Sequence, residues 1–237
     1  MDLPRAICFD LDDTLIDFSS NVLTAWDDAC VLATEANGLD AGVLAREVLR
    51  VRDWYWSDPG RHAAGRQDLR AASAEIVDLA MKALGASPEA GLPRRIADHY
   101  RDLREASIVL MPGAVELLEH LASRGVALAL VTNGSQADQR AKIERFDLER
   151  RFDHIQVEGE FGLGKPYEAV YRHVSEQLGV PPDASWFVGD HLEWDVAAPQ
   201  RLGFAGIWVD YGGTGLPPGH TARPHRTLRV VSELLDD

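Results

Sequence analysis

Two cysteines in 237 residues leave no disulfide framework to hold this chain. Cys8 sits within the apolar run Ala6-Ile-Cys-Phe9 and reads as a small buried hydrophobe. No apolar stretch approaches the roughly 18 residues needed to cross a bilayer; Val126 to Val131 is among the longest. The N-terminus, Met-Asp-Leu-Pro-Arg, enters a strand-like run with no positive region, apolar stretch and cleavage site, so a cytoplasmic protein without membrane attachment is expected. Basic residues are scarce. The 24 Lys and Arg against 38 Asp and Glu give a net charge of −14, which argues against binding a nucleic-acid polymer through the overall field. A small phosphorylated ligand held by a local cation or metal is not excluded. Repeats and low-complexity tracts are also lacking. With 46% hydrophobic and 26% charged residues, the composition is that of a globular fold of one large domain, or of one domain with an insert.

What is present alternates. Ala6–Phe9, Val126–Val131, Ser185–Val188 and Ala205–Val209 are short apolar runs, as expected of strands buried on both faces of a parallel sheet. Between them lie helical patterns. Pro112-Gly113 opens one carrying Val115, Leu117, Leu118 and Leu121 and stopped by Gly125; Pro166 opens another carrying Val170, Val174 and Leu178 and stopped by Gly179. The expected fold is therefore an α/β doubly wound parallel sheet. One segment departs from it. Residues 17–107 show only helical patterns (Val22–Asn37, Ala41–Trp56, Gln67–Leu84, Leu92–Glu105), far more than a crossover needs. They are expected to form an all-α insert folded over a core built from residues 1–16 and 108–237. Residues 212–224, rich in Gly and Pro, read as a late surface loop.

Open α/β sheets bind ligands beyond the carboxyl ends of their strands. After the first strand comes Asp10-Leu-Asp12-Asp-Thr14, with residues two apart pointing the same way in extended chain. Thr132-Asn133-Gly134 follows the second strand, offering a hydroxyl and backbone donors; Lys165 and then Gly189-Asp190, with Asp195 beyond, come later. Three or more carboxylates at one rim repel each other unless a cation is present. Oxygen ligands without a Cys or His cluster select a hard ion, and Mg²⁺ is the usual one beside phosphate. Helix capping explains any single Asp of this kind, but not the ordered set.

Phe9-Asp10-Leu11-Asp12-Asp13-Thr14-Leu15 resembles the first motif of the haloacid dehalogenase-like (HAD) hydrolase superfamily, and Thr132, Lys165 and Gly189-Asp190…Asp195 resemble its second, third and fourth. The likeness covers nearly the whole chain, and the insert resembles the cap of the subclass whose cap follows the first strand. The resemblance implies a nucleophile at Asp10 and a general acid and base at Asp12, with Thr132 and Lys165 on the phosphoryl oxygens. It implies Mg²⁺ held by Asp10, the backbone carbonyl of Asp12 and Asp190. Asn133 would add a backbone donor, Thr14 and Gly134 would support the loops, and Asp195 would order Lys165 or a metal-bound water. Members that displace halide from carbon lack the second Asp, so Asp12 points to phosphate esters. The expected activity is a Mg²⁺-dependent phosphatase acting through an aspartyl-phosphate on a small phosphorylated metabolite, a nucleotide or sugar phosphate. A sugar phosphomutase and a non-enzymatic phosphoaccepting regulator are the rivals, and both a monomer and a homodimer fit.

Other signals are weaker. Gly159 to Lys165 fits most of a phosphate-cradling Gly-x4-Gly-Lys loop, but Pro166 follows where a hydroxyl is needed. The eight histidines are dispersed, which argues against zinc, and His191 is expected at the periphery of the site. In the insert, Trp54 and Tyr55 are expected to pack between helices, with Arg61 and Arg66 in solvent.

Overall fold

The computed structural model describes residues 3–236. They contain eight strands: β1 (Ala6–Phe9), β2 (Ile16–Asp17), β3 (Val109–Leu110), β4 (Ala127–Thr132), β5 (His154–Val157), β6 (Ser185–Gly189), β7 (Ala205–Val209) and β8 (Arg226–Leu228). Six of them form one sheet in the order β5-β4-β1-β6-β7-β8, every neighbour parallel. All four residues of β1 are fully buried, as a central strand covered on both faces must be. The chain divides into two compact units, one reaching Asp17 and resuming at Val109, the other Phe18–Ile108.

The second unit is all helix: α1 (Val22–Asn37), α2 (Ala41–Ser57), α3 (Pro59–Gly65), α4 (Leu69–Ala83) and α5 (Leu92–Ser107). Aspartates start three of these helices, the side chains of Asp40, Asp58 and Asp68 accepting from the backbone amides of Val43, Arg61 and Ala71. The unit has its own apolar core, in which α4 packs on α2 and α5, and α1 on α2 and α5. Trp26 and Tyr100 stack at its centre with ring centroids 3.5 Å apart. No helix among the described residues is long and apolar enough to cross a membrane.

In the sheet-bearing unit, α6 (Ala114–Ser123), α7 (Gln136–Arg145), the short α8 (Glu158–Phe161) and α9 (Glu168–Leu178) fill the connections. Val170, Tyr171 and Val174 of α9 pack on Cys8, Ala129, Val131 and Phe187 of the sheet. The strands absent from the sequence expectation are β2, β3, β5 and β8. Two have only two residues, and β5 and β8 are at least half polar, so none carries an apolar run. Asp17 belongs with the sheet-bearing unit because it pairs with Val109 in the antiparallel β2–β3 ladder.

The expectation for Trp54 is corrected. Leu44, Val48, Val51 and Tyr55 make the buried stripe of α2 at helical spacing, and Trp54 lies one position off it, half exposed. Arg61 is not in bulk solvent either: its guanidinium sits 3.8 Å from the Trp54 ring centroid and donates to the carbonyls of Trp54 (2.8 Å) and Tyr55 (3.1 Å).

Ile76 is 1% exposed in the core of the helical unit. Ile76→Ala is expected to lower unfolding stability by about 2–5 kcal/mol in urea titrations, and a loss below about 1 kcal/mol would contradict that core.

Candidate active site

Phe9 pairs with Leu130 on one side and Val188 on the other, so the residues that follow β1, β4 and β6 emerge at one level. The strand order reverses direction at β1, and such a switch leaves a crevice at the carboxyl ends. Asp10 opens this rim, its amide donating to the Val188 carbonyl at 2.9 Å. The next turn carries Asp13 at φ 60° and closes with the Asp13 amide donating to the Ile16 carbonyl at 2.8 Å. Thr14 Oγ1 lies 3.5 Å from Asp10 Oδ2.

The Lys165 ammonium, 1% exposed, donates to Asp10 Oδ1 at 2.7 Å and to Asp195 Oδ1 at 2.6 Å. Burial alone would lower this ammonium's pKa, but the two carboxylates outweigh it and hold it above its ordinary value. The lysine reaches this place because its backbone is pinned: Asn133 Oδ1 accepts from the Lys165 amide (2.7 Å), and Asn133 Nδ2 donates to the Lys165 carbonyl (2.8 Å). The bond from Lys165 to Pro166 is cis. Gly164 leaves the room required, since a Cβ there would lie 2.8 Å from Asn133 Oδ1 and 2.6 Å from the Glu158 carboxyl carbon. Glu158 in turn accepts from the Gly134 amide at 2.8 Å, so that backbone donor is committed within the protein. Asn133 thus contributes a side chain where only a backbone donor was expected.

Asp195 also accepts from the His191 amide at 3.0 Å, across a π-helical turn at Leu192–Ala197. Gly189 makes that approach possible, because a Cβ on it would fall 2.4 Å from the Asp195 carboxyl group. His191 is exposed and stacks on Trp194 with centroids 4.0 Å apart. Asp190 is held from behind, its carbonyl accepting from Trp208 Nε1 at 2.7 Å.

Asp10, Asp190 and Asp195 bring carboxylate oxygens within 4.8 Å of one another. Three carboxylates against the single ammonium of Lys165 leave two negative charges, and an all-oxygen donor set of that charge suits a hard divalent cation such as Mg²⁺. The strain of this crowding is visible in the protons. Burial, with Asp195 adding to it against Lys165, pushes Asp10 up to about 7. Burial and the neighbouring Asp10 and Asp195 raise Asp190 well above the usual carboxylate range.

Asp12 does not share Asp10's partner. Its carboxylate takes both oxygens to Lys142 Nζ, at 2.8 and 2.9 Å, and Oδ2 also accepts from Gln139 Nε2 at 3.1 Å. Gln139 Nε2 also donates to Thr132 Oγ1 and to the Asn133 carbonyl. Gln139 and Lys142, both buried, were missed in the sequence. The available signal was α7 itself, which has one apolar residue, Ile143, on a buried face otherwise made by these two polar side chains.

Residues 4–203 match the sequence model described as haloacid dehalogenase-like hydrolase. The glyceraldehyde 3-phosphate phosphatase of Methanopyrus kandleri is 28% identical, over 98% of this chain and 99% of its own length. The N-acylneuraminate-9-phosphatase of Rattus norvegicus is 28% identical over 97% and 92%. The (S)-2-haloacid dehalogenase 4A of Burkholderia cepacia is 26% identical over 99% and 94%. Among solved structures, the magnesium-bound HAD-hydrolase YfnB of Bacillus subtilis has a TM-score of 0.74 at 21% identity, covering 99% of this chain and 98% of that one, a likeness of fold.

The raised carboxylates have a consequence for stability. A folded-state pKa of about 7 against an ordinary 3.8 means that Asp10 binds its proton more tightly folded than unfolded. Its contribution is full below the unfolded value and is lost as pH rises through about 7. The melting temperature in EDTA is expected to fall between about pH 5 and 8, less steeply in Asp10→Asn, with Mg²⁺ restoring it most at the alkaline end. An identical slope in wild type and variant would contradict the assignment.

Proposed function

The chain belongs to the haloacid dehalogenase-like hydrolases, and on that premise we propose that it is a Mg²⁺-dependent phosphomonoesterase of a small phosphorylated metabolite, working through an aspartyl-phosphate on Asp10. The observation that carries this reading is the division of the two rim carboxylates: Asp10 buried on Lys165, Asp12 at the rim on Lys142. A displacement at phosphorus followed by hydrolysis needs one carboxylate to attack and another to move protons. The names of two relatives over nearly the full chain, glyceraldehyde 3-phosphate phosphatase and N-acylneuraminate-9-phosphatase, support a sugar-like phosphate. The dehalogenase relative marks the alternative chemistry of the family, for which a second proton-moving carboxylate has no use.

In the first half-reaction Asp10 attacks phosphorus in line. The Asp10–phosphorus bond forms, the ester bond breaks, and Asp12 gives its proton to the departing alkoxide. In the second, Asp12 takes a proton from water, whose oxygen attacks phosphorus and releases phosphate from Asp10. Thr132 and Lys165 hold the equatorial phosphoryl oxygens, where charge spreads in the transition state. Asn133 keeps Lys165 in place, and Thr14 and Gly134 support the loops. Asp195 orders Lys165. Asp10, the Asp12 carbonyl and Asp190 are the residues that would hold Mg²⁺. A cation held by them would supply positive charge to offset the phosphoryl oxygens and would favour the ionised form of Asp10. The helical unit Phe18–Ile108 takes the role of the substrate-selecting cap, and the setting is cytoplasmic.

Inorganic phosphate release from a panel of sugar phosphates, nucleotides and other small phosphomonoesters tests this. Wild type with Mg²⁺ is expected to release phosphate, and EDTA or Asp10→Asn to abolish release while the protein stays folded. A folded, active Asp10→Asn would overturn the nucleophile, and transfer of phosphate between substrates without its release would replace the phosphatase by a mutase. Asp12→Asn is expected to slow alkyl phosphates by about 10²–10⁴-fold, and aryl phosphates with good leaving groups much less.

A further inference from the structure

Asp12 lies past the end of β1, just before a turn, with its side chain partly exposed. Nothing in its own backbone fixes that carboxylate. Two buried side chains from α7 do. The Lys142 ammonium has three hydrogens, and three acceptors surround it: Asp12 Oδ1 at 2.8 Å, Asp12 Oδ2 at 2.9 Å and Gln139 Oε1 at 2.7 Å. The Gln139 amide reaches Asp12 Oδ2 as well through Nε2, and adds two further acceptors, the Asn133 carbonyl and Thr132 Oγ1. A carbonyl only accepts and an ammonium only donates, so the Asn133 carbonyl and Lys142 leave the amide one orientation here. Nε2 has two hydrogens for these three oxygens, so Thr132 Oγ1 shares the amide with its neighbours. Two groups from separate strand ends are thereby fixed by one network on a third element. Lys142 and Gln139 are three residues apart on α7, which places them side by side on one face.

We propose that Lys142 and Gln139 are positioning residues that hold the Asp12 carboxylate and the Thr132 hydroxyl in one fixed relation, and that Lys142 acts on the reaction through Asp12. This rests on the assignment of Asp12 as the group that protonates the leaving oxygen. It goes beyond that assignment by naming what aims it. A purely structural role would be a buried ammonium satisfied by a carboxylate, whose loss weakens the fold and affects all substrates alike.

The two roles separate on phenyl phosphate and para-nitrophenyl phosphate, which are close in size and differ in how much their leaving groups need a proton. With the full chain and Mg²⁺, Lys142→Met is expected to lower kcat on phenyl phosphate by about 10–100-fold, below the full loss of an acid. On para-nitrophenyl phosphate the fall is expected to stay within about threefold, and KM for both to hold. Lys142→Arg restores most of the phenyl phosphate rate, and Gln139→Leu, which also releases Thr132, slows both substrates but phenyl phosphate more. The double variant Asp12→Asn with Lys142→Met is expected to be no slower than Asp12→Asn alone, because the lysine has nothing left to aim.

Equal losses on the two substrates, or additive losses in the double variant, overturn the inference. If Asp12→Asn discriminates between the substrates and Lys142→Met does not, this inference alone falls. If Asp12→Asn does not discriminate, the acid assignment falls and takes the inference with it. Thermal melts accompany each variant, and Gln139→Leu carries the comparison if Lys142→Met does not fold.

Discussion

One ammonium group holds the site together. Lys165 stands between Asp10 and Asp195 with almost no contact with solvent, and two buried carboxylates at that spacing do not stay ionised without a cation between them. The surrounding covalent structure serves to bring that lysine there. Asn133 clasps its backbone on both sides of the peptide unit, Gly164 leaves out the Cβ that would block Asn133 and Glu158, and Gly189 does the same for Asp195. Four segments that follow different strands, β1, β4, β5 and β6, are thus bound to each other by polar contacts near one level of the sheet, a level set by the pairing of Phe9 with Leu130 and Val188.

Asp10 and Asp12 sit two residues apart in sequence and in different electrostatic settings. Asp10 is buried among carboxylates, with a lysine and room for a divalent cation; Asp12 is at the edge, on its own lysine and an amide. Separate environments let like residues take unlike parts in one reaction. The overall charge of −14 makes local cations more telling, because an acidic chain that handles phosphate must supply positive charge where the phosphate goes.

Much of this was legible in the sequence for physical reasons. The central strands are written as apolar runs because both their faces are covered, and the turn at the end of each strand is written in residues with little other reason to be there. Val22–Asn37 reads directly because a glycine ends it in the left-handed conformation, Gly38 at φ 74°. The unread parts lacked a periodic signal. Strands β2 and β3 are too short to have a period, and β5 owes its place to its neighbour β4 more than to its own side chains. Trp54 follows from the exact phase of α2, which composition does not give. Gln139 and Lys142 lie on a helix with a polar buried face, and from sequence such a helix looks like a solvated one. Only the fold says which polar residues are inside.

The β2–β3 pair, two residues on each side, has a consequence out of proportion to its size. Asp17 faces Val109 and Ile16 faces Leu110, so the chain leaves the sheet-bearing unit and returns to it at neighbouring points. Paired residues in such a ladder have Cα atoms about 5 Å apart, and that separation is the whole boundary condition on what lies between them. Any folded segment whose ends meet that distance closes the loop at an entropic cost that grows only slowly with its length. The sheet-bearing unit is in this sense a socket with a standard plug. A helical module of another length closes on the same two points without shifting a single strand of the six-stranded sheet.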